Sequence, residues 1–82
     1  MYYTELLTMN NIKYDILYNC FIIIYMINNN LLLFINDYKI NLFNALNKVN
    51  KKDASFILNA NNKDLKTYCN KIIIHLIDDD KQ

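Results

Sequence analysis

Residues 20–35 read CFIIIYMINNNLLLFI, and the fold class turns on whether this stretch is a pair of strands or a pair of helices. Its first eight residues are apolar or aromatic without interruption, three asparagines follow, and five apolar residues complete it. A membrane-spanning helix needs about 20 consecutive apolar residues, and amides at its centre are expensive in hydrocarbon. The stretch is therefore not expected to cross a bilayer. β-Branched and aromatic side chains dominate the first run and favour a strand, whereas the leucines of the second favour a helix. Runs this short carry no period that separates the two. We expect an antiparallel hairpin turning at Asn28, Asn29 and Asn30, with two buried helices as the alternative.

Downstream, the periodicity is helical. Leu42, Ala45, Leu46 and Val49 follow the i, i+3, i+4, i+7 spacing of one helix face, and Asn44, Asn47 and Lys48 fall opposite. Ala54, Ser55, Phe56 and Leu58 read as the apolar face of a short helix capped by Asp53, and Asn61 reads as the cap of the last helix with Asp64 as its capping-box acid. Asn59 stands where a helix-turn-helix usually places glycine, so a left-handed backbone is expected there. On the last helix Leu65, Tyr68, Cys69, Ile72 and Leu76 form one stripe, with Lys63, Lys66, Thr67, Asn70 and Lys71 on the other side. Ile74 falls among the polar residues. Either the helix ends near Lys71 and residues 72–77 continue as a strand, or Ile74 meets a partner.

Upstream, residues 1–9 read as a short helix with Tyr2, Leu6 and Met9 on one side, without the basic start and apolar centre of a secretory signal. Residues 12–19 show no clear period and read as an approach strand or a further helical turn. The expected architecture is one α+β domain over residues 1–82: an N-terminal hairpin, then three short helices including a helix-turn-helix-like pair. An all-α bundle is the alternative.

Composition supports a folded chain: 54% of residues are hydrophobic and 21% charged, with seven Tyr and four Phe to fill a core. Glycine and proline are absent, so tight turns fall to Asn and Asp, the other residues that accept left-handed geometry. These turns are expected at residues 10–11, 28–30, 36–37, 50–53 and 59–62. The excess of Asn, Ile, Lys and Tyr over Gly, Pro and Ala matches an AT-rich coding sequence.

Nine basic residues against eight acidic ones give a net charge of +1, a small endowment for a protein that must neutralise many phosphates. The distribution is uneven: Lys48, Lys51, Lys52, Lys63, Lys66 and Lys71 lie in a segment whose only acids are Asp53 and Asp64, whereas Asp78, Asp79 and Asp80 crowd the end. Cys20, Cys69 and His75 lack paired zinc-ligand spacing, and we expect two reduced, buried cysteines and no metal or other cofactor. His75 has no nucleophile at a recognisable motif spacing, and glycine-rich phosphate loops are impossible without glycine. The chain is not expected to be an enzyme.

Asp37-Tyr38-Lys39-Ile40-Asn41 resembles the D-G-Y-I-N element of the KilA-N domain, a DNA-binding domain of large DNA viruses and phages. Asn50-Lys51-Lys52-Asp53-Ala54-Ser55-Phe56-Ile57 resembles its N-K-K-F-S-x-W-L element, and Asn61-Asn62-Lys63-Asp64-Leu65 its S-T-K-E-L element. The family's glycine is missing here, and its tryptophan is Phe56. The likeness covers residues 20–76 and implies strands before the helices and binding to double-stranded DNA. Lys51, Lys52, Lys63, Lys66 and Lys71 would then hold phosphates while Asn62, Thr67 and Asn70 read the groove. The other class in play is an interaction module or inhibitor that binds a host protein through exposed tyrosines and apolar surface. Both readings place the chain inside a host cell, in cytoplasm or nucleus, away from membranes, and either is compatible with a homodimer.

Overall fold

The computed structural model describes residues 11–80; the short helix expected over residues 1–9 lies outside them. Residues 12–28 follow one helical period: Ile12, Ile16, Cys20 and Ile23 are buried, whereas Tyr14, Tyr18, Phe21 and Tyr25 are exposed. That alternation every three or four residues makes helix α1, Ile12–Asn28, and it joins the supposedly patternless residues 12–19 to the apolar run that follows. The expected hairpin is corrected here. The β propensity of Phe21 to Ile24 is worth little beside the burial of a continuous helical stripe.

The three asparagines do make a turn, but they close a helix. Asn30 takes the left-handed conformation (φ 55°), Leu31 N–H donates to Met26 O at 2.8 Å, and Asn30 N–H donates to Ile27 O at 3.3 Å. This is the Schellman ending, with asparagine in the place glycine usually takes. The Asn29 side chain adds a bond to Tyr25 O at 2.8 Å.

After residues 31–34 the chain re-enters helix. Helix α2 spans Ile35–Asn47, so the second expected strand and the turn at residues 36–37 are both absent; Asp37 lies in the first turn, where the helix dipole favours an acid. Leu42, Ala45 and Leu46 are buried as their spacing predicts, and Val49 packs on the core from just beyond. Helix α3, Lys51–Asn59, is capped by Asn50, whose Oδ1 accepts the Asp53 N–H at 3.1 Å. The cap is therefore Asn50 and not Asp53. Its buried residues are Ala54 and Ile57, whereas Ser55, Phe56 and Leu58 of the expected apolar face are exposed. Helix α4, Asn62–Asp80, continues through residues 72–77 with Ile72, Ile73 and Leu76 buried, so no strand forms there.

The architecture is all-α, with four helices and no strand among the described residues. α1 packs against both α2 and α4, and α2 packs against α3. Asn59 remains helical, and the break between α3 and α4 is made by Ala60 in an extended conformation (φ −73°, ψ 137°). Lys39 on α2 fixes that corner by donating from Nζ to Ala60 O at 3.2 Å.

Cys20 on α1 and Cys69 on α4 are fully buried, free and hydrogen-bonded to each other. That bond, burial, and the charge a Cys69 thiolate would carry push the Cys20 thiol far above its ordinary value of 9.0. The native state thus holds this proton more tightly than the unfolded chain does. The contribution to stability is complete below about pH 9 and is lost as pH rises beyond it, by up to about 1.4 kcal/mol per pH unit. Urea unfolding at about pH 8 and about pH 10 should show a larger loss for the native sequence than for Cys20→Ala. Thiol reagents should label both cysteines slowly until urea is added.

Candidate nucleic-acid interface and an exposed aromatic face

α4 starts with a side-chain cap: Asn61 Oδ1 accepts the Asp64 N–H at 2.8 Å, as the sequence pattern predicts. Along its outer face Asn62, Lys63, Thr67, Asn70 and Lys71 are exposed, and Lys66 is half-buried. Lys51 and Lys52 are exposed in the first turn of α3. The expected site residues thus occupy the outer side of α4 and the start of α3.

The chemistry of that surface is mixed. Thr67 Oγ1 donates to Lys63 O at 3.0 Å, so its hydroxyl proton serves its own helix. Tyr68, on the flank of α4, donates from its hydroxyl to Asp53 Oδ2 on α3 at 2.9 Å. Its ring lies 5.8 Å from that of Phe56, tilted by 43°. The result is a shallow cleft lined by Phe56, Asp64, Thr67, Tyr68 and Lys71, continuing into one lined by Asp53, Tyr68, Lys71, Ile72 and His75. Lys71 therefore shares one cleft with Asp64 and the other with Asp53, acids that weaken the field a phosphate backbone would meet.

A second surface gives a place to the exposed tyrosines of the interaction reading, which the sequence did not assign to any helix. On α1 the exposed Tyr14, Tyr18, Phe21 and Tyr25 recur at spacings of four, three and four residues, the repeat of a helix-pairing seam. Each is more than half exposed, from 52% to 66%. Beyond the end of α1 the corner of Leu31, Leu32, Leu33 and Phe34 is exposed as well. The signal was present in sequence as an aromatic repeat lying across a buried Ile12, Ile16, Cys20, Ile23 stripe, but a hairpin starting at residue 20 cuts both in two.

Between α1 and α2 lies a polar cleft lined by Asp15, Tyr18, Asn19, Asn41, Asn44, Ala45 and Lys48. Buried Asn19 donates from Nδ2 to Asp15 O at 2.7 Å, and its Oδ1 accepts no hydrogen bond. No group of three or more His, Cys, Asp or Glu among the described residues is placed to hold a metal ion. No helix among them is long and apolar enough to cross a membrane.

No family model matches the chain, and neither a curated protein nor a solved structure does. The likeness to the KilA-N domain rests on the short elements at residues 37–41, 50–57 and 61–65, which here fall in α2, on α3 with its cap, and at the start of α4. The strands it implies ahead of the helices are replaced by α1.

Tyr68 ties α3 to α4 through one hydroxyl and one ring contact. Tyr68→Phe keeps the ring and removes the bond to Asp53, and should lower stability by about 1 kcal/mol, read as a shift in the urea midpoint without a change in helix content.

Proposed function

We propose that this chain is a protein-interaction module that docks a partner against the aromatic face of α1. The observation that carries this reading is the row Tyr14, Tyr18, Phe21, Tyr25, which lies opposite the core-facing stripe of the same helix and is exposed along its length. Aromatic side chains of this kind combine a large apolar area with few rotatable bonds, and tyrosine keeps a hydroxyl that stays wet at an interface rim. Contiguous apolar surface on this scale is uncommon on small monomers unless it is used.

Selection of a random-peptide display library on the immobilised protein should yield sequences with helical apolar spacing. Their binding should fall at least tenfold on Tyr18→Lys or Phe21→Lys, about 1.4 kcal/mol or more. Selected peptides that bind those variants undiminished, or a library that yields none, would overturn the reading.

A second reading, binding of double-stranded DNA, is supported by the exposed Lys63 in the first turn of α4, where unpaired N–H groups favour phosphate, and by Asn70 and Lys71 exposed farther along the same helix. Charge works against it: the net charge is +1, and Asp53 and Asp64 line the same clefts as Lys71. Gel-shift titration at low and moderate salt decides. On this reading Lys63→Ala, Lys66→Ala and Lys71→Ala each lower the slope of log affinity against log salt by about one. Asn70→Ala changes sequence preference by about 1 to 3 kcal/mol. Absence of any shift at low salt with micromolar protein excludes this reading.

A further inference from the structure

We infer that the partner of the α1 face is a second copy of this chain, paired antiparallel across a two-fold axis passing between Asn19 and Cys20; this rests on the interaction reading above and names its partner. The row is self-complementary about that point. An antiparallel copy places Tyr14 level with Tyr25 of the other chain, and Tyr18 level with Phe21, at both ends of the seam. Every aromatic then meets an aromatic, which is the requirement of an isologous interface, and offset or edge-to-face ring pairs add to the burial. Half-buried Leu17, Ile22 and Ile24 flank the row and extend the apolar strip.

Charge agrees with the pairing. Asp15 is the one exposed charge on α1, and in the antiparallel arrangement the two copies of it are separated along the axis by about 14 Å, more than a Debye length at physiological salt. Antiparallel helices also oppose their dipoles. No cation on this face answers an acidic partner, and no further acid answers a basic one.

Area sets the strength. Four aromatics at 52% to 66% exposure offer about 500 Å² per copy, from the 150 to 250 Å² such side chains bury when fully covered. A pair therefore buries about 1,000 Å², the lower end of specific interfaces. The dimer is accordingly concentration-dependent.

Sedimentation equilibrium over a concentration series tests this. The apparent mass of the native sequence should rise from 9.8 kDa toward twice that value. Tyr18→Lys and Phe21→Lys, both on exposed positions, should hold the chain at the monomer mass with unchanged circular dichroism. Mixed Tyr14→Cys and Tyr25→Cys chains should cross-link under mild oxidation, several-fold more than either alone. A monomer at every concentration overturns the inference, as does a dimer unaffected by the lysine variants, or cross-linking of Tyr14→Cys with itself. If the native chain stays monomeric while displayed peptides still require Tyr18 and Phe21, the second copy is excluded and the interaction reading stands. If peptides and self-association both ignore the face, the two fail together.

Discussion

The burial of one stripe on α1 is the constraint from which the other helices take their places. Ile16, Cys20 and Ile23 have no exposed surface, and they are covered from two sides, by α2 and by α4. α4 is reached only after two further helices, so its contact with α1 is the long-range closure of the chain. Cys20 meets Cys69 at that closure. A thiol pair suits the place: cysteine behaves as a small hydrophobe and lets two helices approach closely, and its weak hydrogen bond leaves no strong polar group unsatisfied. α3 does not share this joint. It is attached to α2 by packing and to α4 by Tyr68, which reaches both Asp53 and Phe56.

A chain without glycine or proline must end its helices by other means, and asparagine supplies three of them. At Asn30 it accepts the left-handed backbone. At Asn50 and Asn61 its carbonyl oxygen satisfies an N–H of the next turn. At Asn29 its side-chain amide adds a second hydrogen bond to Tyr25 O, beside the one from its own backbone N–H, in the last turn of α1. The cost of a left-handed Asn is modest because its short polar side chain bonds locally. The α3 to α4 corner has such bonds on both sides, from Asn59 to Ser55 O and from Asp64 N–H to Asn61, but its break needs something more. Ala60 simply extends, and Lys39 holds its carbonyl from the neighbouring helix, a tertiary contact that no local pattern announces.

This explains which parts of the fold were legible. The 42, 45, 46, 49 spacing and the Leu65, Cys69, Ile72, Leu76 stripe are strong periodic signals, and both helices follow them. The asparagine cluster at residues 28–30 was readable as a turn, but a Schellman end and a hairpin turn draw on the same residue types, and only the pairing of α1 with α4 decides between them. Local propensity misled in the same stretch because Phe21 to Ile24 is rich in β-formers, while the stripe that commits it to helix begins earlier, at Ile12. Of the expected nucleic-acid residues, exposure along α4 was legible from period alone. The bond that occupies Thr67 and the nearness of Asp53 to Lys71 depend on how α3 and α4 lean together, which sequence spacing does not specify.

α1 is apolar on two opposite sides, and this separates the two functional readings by physics and not by analogy. A DNA-binding domain needs its apolar residues inside and its basic residues in one field, yet here the basic segment is crossed by Asp53 and Asp64 while four aromatics of α1 remain outside. Surface electrostatics at a net charge of +1 contribute little long-range attraction to a polyanion, and little repulsion between copies of the chain. Exposed aromatic area, by contrast, gains from burial whatever the salt. With weak charge repulsion and a row of rings symmetric about its own midpoint, the helix that organises the interior also offers the outside an apolar attraction. That attraction is greatest for another helix of the same spacing, and α1 itself has that spacing.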